Sequence, residues 1–416
     1  MKAKALHNCC KYLHHSSSSI IYSYHFYQKK TTFEKITRSN PIPNFKTNTL
    51  IKPIRFVSLH PSEFYETLKN RVNAHFKAKH ISRYANGKMV IKTTVLLTGY
   101  LGGFLLLLLT EPMLGNALLL WAFMGFCLAG IGMSIMHDAN HGAYSKNKNV
   151  NYWLGHTLNL LGGSVFNWKL QHNYLHHTFT NIANWDEDIQ NKLALRLNPD
   201  GEAKPFHRFQ YLYAFGLYGI ATLYWVVAKD FFQFLRYTEK GINKNSIAEN
   251  RMIFLKMSLA KVVYFITMLV LPPLLFQLAF WPWLGGFLLM HFVAGIILTI
   301  VFQLAHTITE TTHPVPNENG TIENAWAIHQ MNTTANFSRN NKWLSWYVGG
   351  LNFQVEHHLF PAICHVHYPE IALIVKQTAE EFGIPYLENK SFALAVASHI
   401  RALKRFGVPN INEAIN

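Results

Sequence analysis

The chain has 416 residues, 50% of them hydrophobic and only 14% charged, an apolar balance for a soluble protein of this length. Its net charge of +16 is concentrated at one end, where residues 1–90 hold 16 Lys and Arg against 3 Asp and Glu. No nucleic-acid recognition motif accompanies that charge and anionic lipid head groups account for it, so nucleic acid is excluded as a partner.

Residues 1–52 are rich in Ser, Asn, Lys and His and lack a sustained apolar period; they read as a disordered or targeting-like basic extension. Residues 53–90 read as an amphipathic cytoplasmic segment, because Phe64, Leu68, Val72 and Phe76 recur at i+4 behind a candidate cap at Ser62. Such a helix lies along the membrane surface or packs on the cytoplasmic domain.

Four runs approach the length of about 20 residues that crosses hydrocarbon: Ile91 to Thr110, Leu114 to Met136, Met257 to Phe280 and Trp283 to Ala305. They pair into two hairpins whose tight turns, 111–113 and 281–282, carry no Lys or Arg, which suits the outer face. Lys261 is expected to snorkel to the interface, and Pro272 with Pro273 to kink the third run. Tyr152 to Phe166, with Gly155, Gly162 and Gly163, is too short to span and is expected as a buried or re-entrant helix. Tyr211 to Ala228 is expected at the interface, since an odd crossing would divide the histidine clusters between two faces. Past Tyr368, helical patterns through KQTAEEF and RALKRF complete a cytoplasmic cap, with 381–416 as a cytoplasmic C-terminal tail. Cys9, Cys10, Cys127 and Cys364 form no disulfide framework, as suits a reducing face.

Three histidine clusters lie beside the apolar runs: HDANH with His137 and His141, HNYLHH with His172, His176 and His177, and QVEHH with Gln354, His357 and His358. On a helix His172 and His176 share a face and His177 sits about 100° from His176, so one helix can serve two metals. Seven imidazoles exceed one metal's needs, and their softness suits iron, copper, zinc or nickel alike. His306 follows the fourth run directly and joins them as a candidate ligand. Asp138, Glu356 and Asp186 to Asp188 are candidates to accept the second ring proton of ligating histidines.

HDANH, HNYLHH followed by TFTN, and NFQVEHHLFP together resemble the three histidine boxes of the membrane fatty-acid desaturases, and the resemblance covers residues 54–380. Gln354, in place of the first histidine of the third box, is similar to the front-end and acyl-lipid branch. The resemblance implies an all-α integral membrane protein, with four transmembrane helices in two hairpins and a cytoplasmic helical cap holding a di-metal site in a desaturase domain over 91–380. It further implies two iron ions held by His137, His141, His172, His176, His177, His306, Gln354, His357 and His358, with dioxygen as co-substrate. Its expected partners are a long acyl chain on coenzyme A or a lipid, membrane lipids, and a separate ferredoxin or cytochrome as electron donor, since no HPGG haem signature is present. The chemistry agrees: an unactivated methylene has no acidic proton for an acid–base pair to remove, whereas iron with dioxygen can oxidise it. A hydroxylase on the same scaffold, a membrane zinc hydrolase and a transporter are the rival readings.

Overall fold

With no water to satisfy them, the backbone groups of long apolar runs must bond within their own segment, which makes helices of these runs. The computed structural model describes residues 54–57, 63–110, 112–189 and 194–409; the extension over 1–52 and the expected cap Ser62 lie outside them. Helices dominate, and the described strands are two short parallel pairs: β1 (Arg55–Phe56) with β2 (Thr321–Ile322), and β3 (Asn336–Phe337) with β4 (Glu388–Asn389).

Helix α1 (Phe64–Ala78) buries the expected stripe of Phe64, Leu68, Val72 and Phe76. That stripe packs on Ile371, Ala372, Val375 and Ala379, so of the two sequence readings it is the protein, not the lipid surface, that covers it. Helices α2 (Gly87–Leu109) and α3 (Leu114–Asn140) form the first hairpin. The short α4 (Lys148–Gly155) runs into a tight 3₁₀ turn, His156–Leu161, closed by Gly162 in the left-handed region at φ 71°. The expected short element is there, but α4 is not buried: Tyr152 and Trp153 are exposed, and burial begins at Gly155, Leu158 and Leu161.

Among the described residues five helices, not four, are long and apolar enough to cross a membrane: α2, α3, α5 (Pro205–Glu239), α6 (Ile247–Phe276) and α7 (Phe280–His306). The additional one, α5, contains the stretch read from sequence as interfacial. It crosses α7 where Gly295 leaves room for the Gly219 carbonyl, 2.6 Å from where a Cβ would stand. Helix α6 loosens into a π turn at Ile266–Val270 directly ahead of Pro272, which relieves the clash a proline ring makes with the preceding turn. Lys261 corrects its sequence reading. Its ammonium does not snorkel but pairs with Asp230 at 2.9 Å and donates to the carbonyls of Gly162, Trp225 and Val226. A charge with so many partners at hand is held more cheaply inside than one left alone in hydrocarbon.

Helices α3 and α7 run in the same direction and touch where Gly125 faces the Met290 carbonyl. Both therefore bring their C-terminal ends, with His137 and His306, to one side of the molecule. There α8 (Trp326–Thr333), α9 (Gln354–Leu359), α10 (Tyr368–Glu381) and α11 (Phe392–Phe406) gather around them. Helix α11 is tied in by side chains: Tyr218 and His399 bond at 2.9 Å, and Ser398 donates to Glu310 and lies 2.8 Å from the Thr309 hydroxyl.

Candidate metal centre

The three boxes converge. His137, His141, His172 and His357 place one ring nitrogen each within 4.8 Å of one another, and His176, His306 and His358 do the same in a second group. His177 lies between them, grouped with His357 and His358, its ring centroid 4.8 Å from His141 and 4.5 Å from His358. One helix does serve both groups, but the division falls between His172 and His176. Lys169–His176 is a π-helix, whose turn of more than four residues leaves His176 short of a full turn from His172; the two rings stack at 5.2 Å between centroids while their nitrogens serve different groups. A second π segment, Ile131–Met136, aims His137 and His141.

In the second group every Nδ1 is committed. His176 bonds Asp186 at 2.9 Å, His306 the Thr333 carbonyl at 3.3 Å, and His358 the side-chain oxygen of Gln330 at 2.8 Å. The opposite nitrogens, Nε2 of His176, His306 and His358, are buried without a partner, as are Nε2 of His141 and His357 and both nitrogens of His177. So many buried, unbonded ring nitrogens gathered in one place would be costly in an apo protein. They fit a pair of metal ions, each of which takes neutral imidazole nitrogens as ligands.

The electrostatics match. Burial, followed by repulsion among neighbouring imidazoles, lowers the pKa values of His141, His172, His177, His357 and His358 well below the ordinary range. His176 goes the other way: burial opposes its charge, but the Asp186 carboxylate and its hydrogen bond outweigh that, and the Asp186 pKa falls in return.

Of the carboxylates singled out from sequence, Asp186 does accept a ring proton. Asp138 bonds His365 at 2.8 Å and stays 3.9 Å from His137, while Lys92 closes on the far nitrogen of His365 at 2.7 Å. Glu356 corrects its reading: it accepts from Asn336 and Tyr386 rather than from a histidine, and burial pushes it up to about 7. Asp188 accepts from Gln171, and Glu187 from Tyr237 and Gln233. Gln354 begins α9, buried, one turn ahead of His357, and among the described residues no hydrogen bond joins it to either group. Gln330, Thr333 and Tyr368, whose hydroxyl is 3.3 Å from His357 Nδ1, were not found from sequence. They follow no spacing rule, and the TTANF run after Gln330 was the only local sign of a polar interior there.

The description "fatty acid desaturase" fits residues 115–390 as a family. The chain belongs to the fatty acid desaturase family. It is similar to the sn-1 linoleoyl-lipid 6-desaturase of Synechocystis, 35% identical over 351 residues that cover 83% of this chain and 95% of the relative. It is also similar to the enzyme of the same name from Arthrospira platensis, 34% identical over 85% of this chain and 95% of the relative. The acyl-lipid (8-3)-desaturase of Physcomitrium patens is 32% identical over 94% of this chain and 82% of its own length. The desaturase is thus an oxidoreductase acting on fatty acyl chains, with its histidine groups inside the matched region.

Proposed function

We propose that the desaturase introduces a front-end double bond into a long acyl chain borne on a lipid, at a pair of iron ions held by the two histidine groups. The observation that carries this is the convergence of unbonded Nε2 atoms from three boxes and from His306. His137, His141, His172 and His357 would hold one ion and His176, His306 and His358 the other, with His177 between them and Gln354 beside them. Iron supplies the activation of dioxygen that a methylene requires. The protein's own groups fix each imidazole in orientation, keep water out of a buried site, and hold the rings neutral as ligands. The lipid carrier is supported by the relatives named for linoleoyl-lipid and acyl-lipid substrates, and the front-end position by the same names together with Gln354 in the third box. Electrons would come from a separate ferredoxin or cytochrome, a reading supported by the lack of an HPGG haem signature in the sequence.

The membrane arrangement proposed is four spans, with α5 lying across α7 on the side of the metals and that side facing the cytoplasm. At about 1.5 Å per residue α5 is long enough to cross, yet both its ends bond the cap: Gln210 to the Leu403 carbonyl, and Tyr237 to Glu187 beside Asp186. Expression in a host of known fatty-acid profile, with mapping of any new double bond, tests the function. A new front-end double bond on lipid-extracted chains is expected. A hydroxylated product would replace this reading with the oxygenase one.

A further inference from the structure

We infer that the two histidine groups bind their metals unequally, the second group more tightly, and that Gln330 is the positioning residue that makes it so. This rests on the reading of both groups as metal sites.

The argument runs from one backbone carbonyl. The oxygen of His177 can only accept, and it receives Trp326 Nε1 at 3.1 Å and Gln330 Nε2 at 3.2 Å. That contact fixes the Gln330 amide with its nitrogen toward His177 and its oxygen toward His358. An amide oxygen also only accepts, so the 2.8 Å contact requires the proton of His358 to sit on Nδ1. Nε2 of His358 is then left as a bare lone pair facing the group. Thr180 stands 2.9 Å from the same Gln330 oxygen, its one hydroxyl proton shared between that oxygen and the nearer His176 carbonyl at 2.6 Å. The other two members follow the same logic: a carboxylate opposite His176 and a carbonyl opposite His306 can only accept, so both rings carry their protons outward. All three ligands of the second group are therefore set in the binding tautomer before any metal arrives.

The first group lacks this. Its one Nδ1 partner among the described residues is the Tyr368 hydroxyl at His357, which can donate or accept and so fixes no tautomer. His137 and His172 face each other Nε2 to Nε2 at 3.1 Å, and Nδ1 of His137 is unbonded. The carboxylate nearest to this group, Asp138, stays 3.9 Å from His137 Nδ1 and beyond hydrogen-bond reach, so rings whose tautomer no acceptor-only partner fixes must be set by the metal itself, which lowers affinity.

The test is iron release from the purified, iron-loaded enzyme challenged with a chelator, followed by elemental analysis. Wild type should lose its iron in two phases of comparable size, the slower at least about tenfold slower. Gln330→Leu should abolish the slow phase and spare the fast one. Gln330→Glu, which keeps an acceptor opposite His358, should retain the slow phase, and Tyr368→Phe should leave it unchanged. Release in a single phase from wild type overturns the proposal without any variant, as does a Gln330→Leu enzyme whose slow phase persists or whose two phases fall together. A wild-type chain that binds no iron overturns the reading of the groups as metal sites, and this proposal with it.

Discussion

The two halves of α3 carry opposite demands along one continuous helix. Its outer half exposes Leu114, Leu119 and Phe123 to the lipid side, whereas every residue from Cys127 to Asn140 is buried. Helix α7 repeats the division, with Phe280 and Trp281 exposed and Gln303 to His306 buried. At the exposed positions of the outer half any apolar side chain meets the same hydrocarbon, so composition is all that is asked of them, while Trp121 and Met124 pack inward. In the inner half each side chain meets a named partner, and the helix itself is rewound as a π segment to aim its histidines. Tolerance should therefore fall sharply between the two ends of the same helix.

The largest effect belongs to the inner end. His176→Ala should abolish desaturation while the chain still inserts, because insertion draws on apolar transfer and not on the metal; product analysis beside a membrane-extraction assay measures both. Below it comes the buried Lys261–Asp230 ion pair beside the spans. Lys261→Met leaves the buried Asp230 carboxylate without its cation, and should cost about 3–5 kcal/mol, read as a fall in thermal stability in detergent. A Gly295→Leu change should cost about 1–3 kcal/mol, since its side chain would drive α5 off α7 at the Gly219 carbonyl. At the outer end, Leu119→Ala removes a side chain that is 70% exposed toward lipid and should stay within about 0.5 kcal/mol of wild type. If Leu119→Ala proved as damaging as Gly295→Leu, the contrast between the two halves would not hold.

What could be read from sequence follows the same line. The runs that became α2, α3, α6 and α7, the stripe of α1, and the boxes themselves were legible, because each is a periodic or compositional signal within one segment. The partners were not. Gln330 meets Thr180 across 150 positions of chain and Asp138 meets His365 across 227, and no local pattern encodes such contacts. An α-helical spacing rule puts His172 and His176 on one face and cannot anticipate that they serve different groups. Lys261 was misread because its partner, Asp230, lies on α5, the helix that hydropathy left ambiguous. His306, by contrast, was reachable from its position alone, at the end of a span beside the clusters.

The central claim is that these buried imidazoles are a two-metal iron centre. Elemental analysis of the purified enzyme tests it most directly: about two iron per chain are expected from the two ligand groups, falling in His176→Ala. One zinc per chain with no iron would contradict it.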